Sequence, residues 1–144
     1  MHRIAVLITC FNRREKTLQC LRLISSQKTR PNIETNVFIV DGGSSDGTPE
    51  AIQKAFPKVK VKVEEGLYWA GGMREAWKMA ADEGDYDYYL LLFGIQIDIV
   101  RNIFLAQWQL LFNNRMSSLM NIYHIRLVDY RTDIVVFLCR LGKT

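Results

Sequence analysis

Residues 37–48 read V-F-I-V-D-G-G-S-S-D-G-T, an apolar run that breaks into two carboxylates, three glycines and three hydroxyls. Four consecutive Val, Phe or Ile residues have the character of a strand buried on both faces, which points to a parallel sheet. Ligands of open α/β sheets lie just beyond the carboxyl ends of such strands, where Asp41 would stand. This stretch therefore restricts the chain to layered α/β arrangements and marks one edge of the sheet as the place to look for chemistry.

The flanking sequence repeats the pattern. I-A-V-L-I-T over residues 4–9 is a second apolar run of strand length, and the polar Cys10-Phe11-Asn12-Arg13-Arg14 leads into a helix whose Leu18, Leu21 and Ile24 or Ser25 recur at helical spacing. After the glycine-rich turn, Thr48 is expected to cap a second helix, with Pro49 at its first position and Glu50 at its positive end. Val59, Val61 and Val63 alternate with Lys58, Lys60 and Lys62, the signature of a half-exposed strand at a sheet edge. A loop over residues 66–72 feeds Met73, Ala76, Trp77 and Ala80, spaced as one helical face, and residues 88–93 predict a fourth strand. Strands and helices in alternation imply right-handed crossovers in one sheet. The expected fold is α/β, a Rossmann-like, mostly parallel sheet with flanking helices.

Composition narrows the class of protein. The 144 residues are 49% hydrophobic, enough for one domain with a core, and the net charge of +4 is spread without a basic block, so nucleic acid is not an expected partner. Three cysteines without C-x-x-C spacing, and no signal sequence after Met1-His2-Arg3, predict a reducing, cytoplasmic setting. Asp98, Arg101, Asn102, Gln107 and Gln109 interrupt the longest apolar candidate, so no membrane span is expected, and peripheral membrane association stays open.

Two readings of the glycine-rich turn stand side by side. In one, Asp41 accepts a hydrogen bond from a ligand N–H while the glycines at 42, 43 and 47 let the backbone approach. In the other, Asp46 and the serines cap backbone groups of a tight turn. The segment is neither a dinucleotide fingerprint, lacking G-x-G-x-x-G, nor a P-loop, lacking G-K-[ST].

Three segments arriving in order carry a resemblance: T-C-F-N at 9–12, V-D-G-G-S-S-D-G-T at 40–48, and G-G-M-R at 71–74. Residues 3–92 resemble family 2 of the glycosyltransferases, which has the glycosyltransferase-A fold. Gly42 stands where a second Asp or Asn is common in that family. The resemblance implies a site for a nucleotide-diphosphate sugar of UDP or dTDP type, formed by Thr9, Phe11, Asn12, Asp41, Gly43, Ser44, Asp46, Gly71, Gly72 and Arg74. Asp41 would accept the ring N–H of the base, and Arg74 would bring positive charge to the diphosphate. Tyr68 and Trp69 are either stacking platforms for a sugar or base, or plugs of the core. The acceptor would be a glycan or lipid hydroxyl.

The family also implies Mg or Mn held by an acidic D-x-D-like motif after the fourth strand, but residues 92–98 read L-F-G-I-Q-I-D, and Asp98 is the one carboxylate there. It is the single metal-ligand candidate, and its competing reading is a helix cap. No catalytic base is identified. Asp129, Asp133 and His124 sit in no recognisable motif. Residues 93–144 contain no Glu, one Lys and one Ala, a break from what precedes them. The expected organisation is a nucleotide-sugar-binding half at 1–92 and a divergent tail at 93–144, a helix plus a hairpin packed on the same domain. A shortened, divergent protein and a reading-frame disruption both account for that break. The expected function is glycosyltransferase-like donor binding with inefficient turnover. The alternative is a non-catalytic nucleotide-binding module or partner subunit, and the unfinished sheet leaves room for an oligomer.

Overall fold

The computed structural model describes residues 2–26, 32–92 and 136–139. Strand β1 (His2–Cys10) is followed by helix α1 (Arg14–Ser26), β2 (Ile33–Asp41), α2 (Thr48–Ala55), β3 (Lys60–Val63), α3 (Trp69–Glu83), β4 (Tyr88–Leu92) and β5 (Val136–Cys139). They form one sheet in the order β3-β2-β1-β4-β5. The first four strands pair in parallel, and β5 joins β4 antiparallel. The mostly parallel α/β sheet expected from the alternating pattern is what the chain forms.

Alternation along each strand sorts the core into two layers. Ile4, Val6, Ile8 and Cys10 of β1, with Ile33 and Ile39 of β2, face α1 and α2 and meet Leu18, Leu21, Ile24 and Ile52. Ala5 and Leu7 of β1, with Phe38 and Val40 of β2, face the other way, toward Met73, Ala76 and Ala80 of α3. Phe38, Leu7, Ile8, Ile39 and Ile52 are all but completely buried. Each such side chain contributes roughly 1.5–3 kcal/mol. The central position of β1 thus follows from its apolar residues on both faces.

Several boundaries move from their sequence-based positions. The second strand runs over Ile33–Asp41, longer than its apolar run, because Glu34, Thr35 and Asn36 also pair with β1. Thr48 is not the cap of α2: Gly47 occupies that position in the left-handed region at φ 76°, and Thr48 is the first helical residue. Helix α3 begins at Trp69, so Gly71 and Gly72 lie inside its first turn and not in a loop. Strand β3 occupies the edge that its lysine alternation predicts. Trp77 is half-buried, its ring stacked on Tyr89 with centroids 4.2 Å apart. In the tail expected to hold a helix plus a hairpin, β5 is the described strand, and the remaining residues of 93–144 fall outside the described residues.

The order of the strands also locates a switch point. The chain steps from β1 to β2 to β3, then returns through α3 to place β4 on the other side of β1. Ligands of such sheets occupy the crevice beyond the carboxyl end of the strands at this reversal. Here that crevice is bounded by the loop after β1, the turn after β2 and the start of α3.

Candidate functional site

A cleft of about 320 Å³ opens at this edge, lined by Thr9, Cys10, Phe11, Arg13, Val40, Gly42, Leu67, Trp69 and Gly72. Its floor is built by strand alternation. Thr9 and Val40 point to the α3 side, and a Cβ on Gly72 would stand 2.8 Å from Thr9 Cγ2 and 3.8 Å from Val40 Cγ1. Gly72 is therefore what allows the first turn of α3 to approach the strand ends. Gly71 is similarly close to Leu67. Phe11 and Trp69, 58% and 67% exposed, stand at the rim.

Asp41 lies on the opposite side of the strand end and is completely buried. Its Oδ1 accepts from the amides of Gly43 at 3.0 Å and Ser44 at 2.6 Å. Its Oδ2 accepts from Ser44 Oγ at 2.6 Å and from Cys10 Sγ at 3.3 Å. A carboxylate offers about four lone-pair positions, and all are taken by the chain's own donors. The geometry gives Asp41 the task of folding the turn. Burial, and then the hydrogen bond to Asp41, push the Cys10 thiol far above its ordinary range, so it remains a protonated donor.

The neighbouring polar residues do the same work between the two loops. Asn12, in the left-handed region at φ 49°, donates its amide to Ser44 Oγ at 2.7 Å and accepts from the Ser45 amide at 2.9 Å through Oδ1. Asp46 accepts from the amides of Arg14 at 3.0 Å and Thr48 at 3.1 Å, and from the Thr48 hydroxyl. The Thr48 hydroxyl and the Arg14 amide hold the Asp46 carboxyl below its usual range. Gly43, at φ 92°, adopts a conformation that favours glycine, and a Cβ there would stand 2.7 Å from Glu65 Cγ. Asn12, Asp41, Gly43, Ser44 and Asp46 form a brace under the cleft, while Thr9, Phe11 and Gly72 reach its surface.

Arg74 is exposed on α3 and belongs to a second, mostly apolar groove of about 490 Å³ with Ala70, Met73, Trp77, Lys78 and Leu91. Trp69 is common to both depressions. The structure thus separates Arg74 from the Thr9 cleft and puts Arg13 on the cleft wall in its place, a residue that the motif-based reading passes over. Leu67 is likewise an unpredicted lining residue, whereas Gly42 lines the cleft as one of the glycines expected to let the backbone approach a ligand. For Gly42 a signal exists, since strict alternation from Val40 carries it to the α3 side. Among the described residues, helix α3 has no side-chain cap hydrogen bond at Tyr68 and no acidic residue in its first turn, so its positive end lies beside the cleft.

The described residues at this edge do not fit a divalent metal: the oxygens of Asp41 and Asp46 are occupied by the chain's own donors, and no group of three or more His, Cys, Asp or Glu is gathered among the described residues. Asp98 lies outside the described residues. Among those residues, no helix is long and apolar enough to cross a membrane.

A mostly parallel α/β sheet with a braced cleft at its switch point defines an α/β domain of the kind that takes ligands at this edge. Residues 5–93, more than half of the chain, match Glycosyl transferase family 2, and the chain belongs to that family. No curated protein matches it. Similar solved structures include the mannosyltransferase PcManGT from Pyrobaculum calidifontis in complex with GDP-Man and Mn2+, at 20% identity and a TM-score of 0.47, covering 70% of this chain and 31% of that one. S. aureus TarS 1-349 in complex with UDP matches at 16% identity and a TM-score of 0.48, covering 88% of this chain and 42% of that one. The complex of TarS 1-349 with UDP-GlcNAc gives the same identity and TM-score, with 41% of that chain covered. This chain spans less than half the length of each.

Proposed function

We propose that this chain binds a nucleotide-diphosphate sugar in the cleft at the carboxyl edge of β1 and β2, as the donor half of a transferase acting on a glycan or lipid hydroxyl. The observation that carries the reading is the cleft itself: an aromatic rim of Phe11 and Trp69, the cation of Arg13, and the uncapped start of α3 converge there. The rings suit a stacked base, and the helix start and guanidinium suit diphosphate oxygens. Asn12, Asp41, Ser44 and Asp46 act as positioning residues that hold the two loops at the right separation. Arg74 is placed to meet the sugar or acceptor side, across Trp69 from the cleft. Turnover is proposed to be inefficient, because Asp41 and Asp46, the carboxylates of the turn, are engaged by the chain's own donors and so are not available to take a proton from an acceptor.

Uridine and thymidine diphosphates and their sugars are the donors to test first. Calorimetric titration of the full chain, with and without Mn2+, is expected to give saturable binding with a Kd below about 1 mM, the range of ordinary enzyme substrates. Absence of saturable binding by every nucleoside diphosphate would overturn the proposal. Sugar transfer at about 1 per second or faster would overturn the part concerning turnover.

A further inference from the structure

We infer that Gly42 is the specificity-determining position of the cleft, and that its missing side chain leaves the base unread, so that nucleotides differing at the base edge bind alike. The inference rests on the nucleotide-donor reading and adds the selectivity of that same site.

The argument begins with alternation. Odd-numbered residues of β2 face α1 and α2, and even-numbered ones face α3. Asp41 falls on the first side, completely buried and occupied by four donors, and so presents nothing to a ligand. Gly42 falls on the cleft side, pinned by its amide, which donates to the Cys10 carbonyl at 2.9 Å.

Nothing in the backbone demands a glycine at this point. Among the described residues, the glycines in the left-handed region are Gly43, Gly47, Gly66 and Gly84, and Gly42 is not among them. A Cβ on Gly42 would lie 3.5 Å from the Leu67 carbonyl oxygen and 3.5 Å from Phe11 Cδ2, ordinary van der Waals contacts. Gly43 and Gly72 are different, for there a Cβ would collide at 2.7 and 2.8 Å. A short polar side chain at position 42 would therefore be accommodated, and it would project beside Phe11, where a stacked base would lie.

Among the described residues, the side chains around the cleft do not substitute for it. Phe11 and Trp69 offer ring faces, which accept any base. Arg13 can only donate, the Thr9 hydroxyl can donate or accept, and the Cys10 thiol is already directed at Asp41. Uracil presents a donor at N3 where cytosine presents an acceptor. A fixed carboxylate would pair with the first and be left unpaired against the second, a difference that gives strong discrimination in a closed site. Among the described residues, the lining side chains of this cleft include no carboxylate or amide.

The test compares UDP with CDP, which differ only at this edge, in calorimetric titrations of the full chain carrying Gly42, Gly42→Asp or Gly42→Ala. The wild-type affinities are expected to agree within about threefold, and Gly42→Asp should shift the ratio toward UDP by at least about tenfold. Gly42→Ala, which fills the space without an acceptor, should change both affinities by the same factor. A wild-type preference for UDP of about tenfold or more overturns the inference, as does a folded Gly42→Asp variant with an unchanged ratio. The wild-type comparison decides the permissive half by itself if the aspartate variant fails to fold. Binding that is strongly selective defeats this inference alone, whereas no binding of UDP, CDP, GDP or ADP defeats the donor reading and this inference with it.

Discussion

Replacing Asp41 by asparagine separates a carboxylate that holds a turn from one that reads a ligand. In Asp41→Asn the side-chain oxygen can still take the amides of Gly43 and Ser44, at 3.0 and 2.6 Å in the wild type, but as a neutral acceptor. The new NH2 faces Ser44 Oγ and Cys10 Sγ, both of which are donors to Oδ2 in the wild type. Ser44 can rotate to accept, and the thiol becomes a weak acceptor. Hydrogen bonds to charged groups contribute about 1 kcal/mol more than neutral ones, so the two amide bonds lose about 2 kcal/mol together. Relief from burying a charge returns part of this, leaving a net destabilisation of about 1–2 kcal/mol and a fall in Tm of roughly 3–6 °C for a chain of this size. Urea denaturation followed by circular dichroism measures the first effect. In parallel titrations UDP and CDP should weaken by a common factor, because both meet the same displaced turn. Unchanged stability, with loss of UDP affinity alone, would show that Asp41 contacts the base and refute the reasoning.

Three further outcomes test the frame around the cleft. Gly72→Ala should cost about 1–3 kcal/mol from its collision with Thr9 Cγ2, less about 1 kcal/mol of helix propensity. Thr9→Ser removes that methyl, so in its background the same alanine should be neutral or stabilising, and equal effects in both backgrounds would defeat the packing argument. Asp46 has a lowered folded-state pKa, so its contribution is present above the ordinary carboxylate range and is lost as pH falls through the lower folded value, from about pH 4 downward. Asp46→Asn should therefore lie below wild type in stability at neutral pH and converge with it in acid; a gap that persists in acid would contradict the assignment. Burial raises the Cys20 thiol to about 12 and the Cys10 thiol further. In a Cys139→Ser variant at pH 8, both should react with a thiol reagent only at the rate of unfolding, and prompt labelling of either would show that the core is open there.

Much of the fold was legible because its signals are local. The apolar runs at 4–9 and 37–40 are too continuous for half-exposed strands, and their burial on both faces bears that out. The alternating lysines placed β3 at an edge because a chain cannot bury Lys58, Lys60 and Lys62 without partners. Local signals failed where a boundary depends on a neighbour. Thr48 has the right chemistry for a cap, but Asp46 takes its hydroxyl and amide, and Gly47 alone can adopt the left-handed conformation that starts α2. Similarly, Gly71 and Gly72 look like loop residues, yet contact with Leu67, Thr9 and Val40 favours residues without side chains inside the helix.

The candidate site divides along the same line. Thr9, Phe11 and Gly72 were visible from their motifs and do line the cleft, while Arg13 and Leu67 come to it from loops whose paths no spacing rule predicts. The segment at 37–48 announced by itself that a turn rich in carboxylates and glycines ends a buried strand, since composition and alternation need no partner to be read. Which of those groups faces the cleft was decided only by tertiary structure. The amides of Gly43 and Ser44 and the Ser44 hydroxyl from the turn after β2, and the Cys10 thiol from the end of β1, converge on Asp41, and their hydrogen bonds turn the carboxylate inward and leave Gly42 at the cleft.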